Sequence, residues 1–201
     1  ARACAQGNLR GMPAHLYLLR HGATEWSELG KHTSHTDLAL VALGEHQAMA
    51  WRGALAKPTF ERVLTSPLVR ARRTAELAGF AHADVTPLLT EVDYGRDEGR
   101  TRDEIRAERP DWDFFTQGGD GGESLDHAAD RAKQLFAQLA TIRGDVLLVS
   151  HGHFLRVLTA TYVGEAPAWG AHLAIGAGSV SILGSEHGVP AIASWNLSAP
   201  T

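Results

Sequence analysis

Cysteine is nearly absent. The 201 residues contain one, Cys4, so no disulfide can form within the chain and the fold has to rest on packing. Long apolar runs are missing as well. No stretch approaches the roughly 20 consecutive apolar residues of a membrane span, and the first residues lack the apolar core of a secretory leader, so a soluble, cytoplasmic protein is expected. Charge of one sign is also scarce: 19 Lys and Arg against 23 Asp and Glu give a net charge of −4, which argues against a nucleic-acid partner. No interior linker rich in Pro, Gly or Ser divides the chain. With 44% apolar residues, 12–201 is expected to fold as a single domain around a substantial core. Residues 1–11 show no periodicity and are expected to be a disordered N-terminal extension, which leaves Cys4 without chemistry.

What is abundant is histidine, with 11 residues, and two of them stand in a repeated setting. Leu16 to Leu19 is an uninterrupted apolar run followed by Arg20-His21-Gly22. Such a run reads as a strand buried on both faces of a parallel sheet, with Arg20 and His21 at its C-terminal tip. In open α/β sheets that edge is where ligands bind, although a solvated Arg-His pair on a loop would read the same. The pattern then recurs. Asp145 to Ser150 is a second buried strand, it ends in His151-Gly152-His153, and a helix-like run from Phe154 to Tyr162 follows. Between the two, Val63 to Thr65 gives a short strand and Ser66-Pro67 a helix start, with Arg70 one turn in. The alternation of strands and helices predicts an α/β fold, a three-layer α/β/α sandwich with a mostly parallel central sheet.

These motifs, in this order, resemble the histidine phosphatase superfamily, also called phosphoglycerate mutase-like. The resemblance rests on Arg20-His21-Gly22 with Thr24-Glu25-Trp26, Asp37 to Gly44, Ser66-Pro67 with Arg70-Ala71, Glu91 with Tyr94-Gly95 and Glu98-Gly99, Gly122-Glu123-Ser124, and Ser150-His151-Gly152. It implies a phosphomonoester hydrolase in which Arg20 and Arg70 hold phosphate through planar forks and His21 is the nucleophile. His151 offsets charge on the transferring group as a cation or N–H donor. Glu91 matches the position of the proton donor. Asp93, two residues on, is the alternative, because both would face the same way if the stretch is extended. Arg72 and Arg73 read as a solvated face. Candidate substrate contacts are Thr24, Ser27, Thr33, Ser34, Tyr94, Gly152 and His153. Ser34 stands where the family usually has glycine, and Val41 where it usually has threonine.

No metal or other cofactor is expected. The partner is a small phosphorylated metabolite, with no nucleic acid and no membrane. The pattern is similar to broad-specificity bacterial acid phosphatases and to sugar bisphosphatases, and in the second case Lys31, Arg96 and Arg100 would hold another phosphate. Three other readings compete: a phosphoglycerate mutase, a non-catalytic phospholigand-binding module, and a metal hydrolase built on His32, His35, His151 and His153. Arginines beside the paired histidines disfavour the last, because like charges repel. Helices are further expected over 44–56, 68–78, 101–109 and from Ser124 onward, where Leu125, Ala128, Ala132, Leu135, Phe136 and Leu139 form an apolar stripe. Of Trp112, Phe114 and Phe115, which the family uses in a variable substrate-facing insert, the two phenylalanines read equally well as core. Short strands at 180–183 and 191–193 are expected at a sheet edge around Glu186-His187-Gly188.

Overall fold

The computed structural model describes residues 12–200, so the extension expected at 1–11, with Cys4, lies outside the described residues. Six strands form one mixed sheet: β1 (Leu16–Arg20), β2 (Phe60–Thr65), β3 (Asp84–Val85), β4 (Asp145–Ser150), β5 (Val180–Glu186) and β6 (Val189–Leu197). Their order across the sheet is β3-β2-β4-β1-β5-β6. The first four neighbours run parallel, and the β5–β6 hairpin closes the edge antiparallel. The helices are α1 (Glu25–Glu28), α2 (Ala42–Ala50), α3 (Arg52–Leu55), α4 (Val69–Leu77), α5 (Arg102–Glu108), α6 (Phe114–Gln117), α7 (Leu125–Leu139) and α8 (Gly152–Tyr162). Among the described residues no helix is long and apolar enough to cross a membrane.

The continuous apolar runs of β1 and β4 are explained by two cores, one on each face of the sheet. Leu16 and Leu18 of β1, with Val146 and Leu148 of β4, point into the larger core with Ala132 and Leu135 of α7 and Phe154 and Leu158 of α8. The alternate residues Leu19, Leu147 and Val149 point the other way, onto Trp51, Leu55, Ala71 and Ala75 from α2 to α4. That alternation, with period two, makes the three layers.

Local departures from expectation have local causes. The helix expected over 44–56 breaks at Trp51, whose buried indole donates from Nε1 to the Gly178 carbonyl at 2.6 Å. The segment 88–95 forms no strand; Pro87–Leu89 is one 3-10 turn, Gly95–Asp97 another, and 90–94 between them joins no element. The closing strands run longer than 180–183 and 191–193. They are joined through His187 and Gly188, both at positive φ, as a two-residue hairpin turn between twisted strands requires. Phe114 and Phe115 are buried with Trp112 in the larger core.

Register places the functional candidates. Arg20 pairs with Ser150 and Thr65 with Val149, so His21, His151 and Ser66 leave three adjacent strands at one level. The His21 N–H continues the ladder onto Ser150 O at 2.9 Å, and the Ser66 N–H continues it onto Val149 O at 3.0 Å.

Candidate active site

His21 is buried, and its Nδ1 lies 2.7 Å from the Gly22 carbonyl. A carbonyl can only accept, so Nδ1 carries the hydrogen and Nε2 keeps its lone pair. The imidazole is held well below the usual histidine range, first by burial and then by Arg20 and Arg70; the bond to Gly22 opposes this only in part. Glycine is required next door. A Cβ on Gly22 would sit 2.2 Å from Gly44 O, and one on Gly44 would sit 2.1 Å from Ala23 O, so this turn and α2 meet backbone to backbone.

Behind His21, at a ring-centroid distance of 5.1 Å, lies His151. Arg70 Nε donates to its Nδ1 at 3.2 Å, which leaves Nε2–H to donate to Ser66 Oγ at 2.8 Å. Burial, followed by the charge of Arg70, keeps this ring neutral too, well below the usual range. Of the two forms expected for His151, cation or N–H donor, this environment favours the neutral N–H donor. Arg70 itself is fully buried and held by the carbonyls of Thr36, Thr33 and Ser34, each at 3.1 Å.

Arg20 is held differently. One terminal nitrogen donates to Ile175 O at 2.7 Å, while its buried Nε–H has no partner. An orphaned buried donor costs about 1 to 3 kcal/mol, which an acceptor in the adjoining cavity would offset. Gly152 makes room for it, since a Cβ there would press on the guanidinium at 3.3 Å.

Glu91, also buried, turns to the N-terminus of α8. Its Oε1 accepts from the N–H groups of Phe154 at 2.8 Å and Val92 at 3.0 Å, and its Oε2 accepts from His153 at 3.1 Å. An ionised carboxylate has about four acceptor sites, so one remains, on Oε2. Asp93 faces elsewhere: its Oδ1 accepts from the Gly95 N–H at 2.8 Å and its Oδ2 lies 3.4 Å from His35. The two carboxylates have separate partners, Glu91 at the start of α8 and Asp93 at the Gly95 turn and His35.

A cavity of about 180 Å³ joins these groups. Of the expected residues, Arg20, His21, Ser27, Thr33, Glu91, Tyr94, Gly152 and His153 line it. Four do not. Arg70 and His151 are fully buried against each other, Thr24 uses its hydroxyl to cap α1 by accepting from the Ser27 N–H, and Ser34 is buried with its N–H on Glu98. Ser34 and Thr24 thus shape the walls rather than face the cavity. Tyr94 Oη lies 2.6 Å from His153 Nδ1, and the His153 ring is stacked on Phe114 at 4.0 Å and parallel to His32 at 5.8 Å. Burial raises the Tyr94 phenol well above its ordinary range and lowers His153 well below its own.

Arg96 and Arg100, which could have held a second phosphate or simply been surface charges, are surface charges: Arg96 is paired with Asp120 and Arg100 with Glu108, and neither lines the cavity. Lys31 does line it. Sequence reasoning missed the carbonyl of Ile175, for which there is no signal, and the cavity positions of His32 and Arg156. Arg156 was legible in principle, because it stands four residues after Gly152 and so on the same helix face. Among the described residues no group of three or more His, Cys, Asp or Glu is placed to hold a metal ion, so His32, His35, His151 and His153 do not assemble as a ligand set.

The strand-tip histidines and the arginines beside them stand at one edge of an α/β sheet, and residues 16–198 match the histidine phosphatase superfamily, branch 1; the chain belongs to that family. It is a histidine phosphatase. An acid phosphatase of Mycobacterium tuberculosis is 41% identical over 182 residues, covering 89% of this chain and 90% of that protein. A probable phosphoglycerate mutase of Salmonella choleraesuis is 35% identical over 165 residues, covering 77% and 76%. A solved structure of an open reading frame from Mycobacterium tuberculosis superposes with a TM-score of 0.87 at 40% identity, covering 92% of this chain and 98% of that one.

Proposed function

We propose that the chain hydrolyses small phosphomonoesters, sugar phosphates and bisphosphates among them, through a phosphohistidine at His21 and without a metal ion. One observation carries the reading. The Nδ1 of His21 is tied to the Gly22 carbonyl in a ring held neutral, which frees the Nε2 lone pair beside a guanidinium with an unpartnered N–H.

The steps follow from charge. The ester's phosphate, with about two negative charges, takes donors from Arg20 in place of water. His21 Nε2 attacks phosphorus as the ester P–O bond breaks, and Nδ1–H stays on the Gly22 carbonyl, which accommodates the positive charge growing on the ring. Glu91, protonated through its remaining Oε2 site, gives that proton to the leaving oxygen. It then takes one from the water that attacks the phosphohistidine, releasing inorganic phosphate and restoring His21. Arg70, held by the loop carbonyls, adds positive potential and fixes His151. Arg20 and Arg70 together supply the charge stabilisation that a metal would otherwise bring. The cavity volume, below the roughly 300 Å³ of the smallest drug-sized sites, suits a small leaving group.

A mutase reading has the Salmonella relative in its favour. The test is phosphate release from a panel of small phosphorylated metabolites, with and without EDTA, alongside interconversion of 2- and 3-phosphoglycerate. Phosphate release that EDTA leaves unchanged is expected. Interconversion outpacing release supports the mutase, restoration by a divalent ion after chelation overturns metal independence, and no release from any ester overturns the phosphatase reading.

A further inference from the structure

The arginines around the site fall into two groups. Arg96, Arg100, Arg102, Arg109 and Arg131 are each paired with a carboxylate, so their charge is spent within the protein. Arg20, Arg70 and Arg156 are instead held by neutral acceptors. For Arg156 these are the carbonyls of Gly170, from Nε at 2.9 Å, and Ala171, from Nη2 at 3.1 Å. A guanidinium anchored on carbonyls is fixed in place and keeps its full charge for an incoming anion. In the reading above Arg20 holds the phosphate and Arg70 fixes His151. Arg156 has no assigned partner.

Its position gives it one. Arg156 lines the same cavity as Arg20, His21 and Glu91. It is half-buried, its guanidinium rests 4.2 Å over the Phe115 ring, and among the described residues no carboxylate lies within ion-pair distance and Nη1 makes no hydrogen bond. The close seat is specific: a Cβ on Gly170 would come within 2.7 Å of Phe115 and 3.1 Å of the Arg156 carbonyl. Lys31, on the same cavity, has no carboxylate within ion-pair distance among the described residues, although its charge reaches Glu104; its ammonium lies 5.6 Å from the Trp26 ring centroid. We propose that Arg156 anchors a second anionic group, carboxylate or phosphate, carried by the leaving-group portion of the substrate, with Lys31 adding charge at the mouth. This deepens the phosphatase reading above and rests on it.

A purely structural Arg156, tying the Gly170 turn to α8, would affect all substrates alike. The discriminating readout is therefore a ratio of kcat/KM between esters that differ only in the second anion. Phosphoserine against phosphoethanolamine isolates a carboxylate, and fructose 1,6-bisphosphate against fructose 6-phosphate isolates a phosphate. In the wild type at least one ratio should exceed about tenfold, and which one it is names the anion. Arg156→Gln should lower that ratio at least tenfold, Arg156→Lys should recover part of it, and Lys31→Gln should lower it less than Arg156→Gln. Wild-type ratios within twofold for both pairs, a ratio unchanged in Arg156→Gln, or a loss carried mainly by Lys31→Gln each overturn the proposal. Should Arg156→Gln not fold, the wild-type ratios and Arg156→Lys decide it. Failure to hydrolyse any of these esters, or p-nitrophenyl phosphate, would instead count against the phosphatase reading itself.

Discussion

Acid should unfold this protein earlier than its carboxylates alone would, because two buried imidazoles and a third that is partly exposed at the cavity are kept neutral in the native state. His21, His151 and His153 all lie well below the usual histidine range, in each case chiefly through burial. Neighbouring charge adds to it: Arg20 and Arg70 at His21, Arg70 at His151, Arg156 at His153. In the unfolded chain the same rings take up protons near pH 6.5. Below that pH the unfolded state binds more protons than the native one, so stability is fully present above about 6.5 and is lost as pH falls toward the native values. Each ring contributes a slope of up to about 1.4 kcal/mol per pH unit, and three give up to about 4 kcal/mol per unit, against a total stability of about 5 to 15 kcal/mol for an ordinary domain. Urea unfolding at pH 7.5, 6.5, 5.8 and 5.2 measures this above the range where carboxylates titrate. His153→Phe, which keeps an aromatic ring on Phe114, should lower stability at neutral pH because Tyr94 loses a partner, yet should flatten the slope by about a third. A stability that is level between pH 6.5 and 5.2 would show that the rings are charged in the native protein and would refute the argument.

Gly44→Ala should destabilise by about 1 to 3 kcal/mol and reduce turnover, since its Cβ would meet Ala23 backbone atoms at 2.1 Å. Gly53→Ala, in α3 with nothing within 4 Å of the new atom, should stabilise by up to about 1 kcal/mol; thermal unfolding of the two variants checks both. Glu91→Gln should slow alkyl phosphates by about 10² to 10⁴, and p-nitrophenyl phosphate, whose leaving group hardly needs a proton, far less. Asp93→Asn should show no such dependence on leaving group, and if the two results are exchanged the proton donor is Asp93.

Much of the architecture was readable because β1 and β4 are unbroken apolar runs, and only a sheet covered on both faces demands that of Leu16 to Leu19 and Val146 to Val149. The site followed from where such strands end. Side-chain direction was not readable. Whether Arg70 faces the cavity or is buried against His151 depends on the carbonyls of Thr33, Ser34 and Thr36, contributed by a loop more than 30 residues away. The choice between Glu91 and Asp93 turned on which backbone N–H groups each carboxylate meets, those at the start of α8 for Glu91 and that of Gly95 for Asp93, and the sequence around them does not announce it. Basic residues misled for a similar reason: Lys31, Arg96, Arg100 and Arg156 look alike in a sequence, and only their carboxylate partners, or lack of them, separate spent charge from available charge.

In the proposed reaction His21 carries the phosphoryl group. Rapid acid-free quenching of the wild type during turnover of a ³²P-labelled ester, followed by peptide mapping, tests it directly. The expected result is a label on His21 that is stable to alkali, is lost in acid and is absent from His21→Ala, a variant that should also lose all but a few per cent of turnover. A label on another residue, or His21→Ala that turns over at more than a few per cent of the wild-type rate, would contradict it.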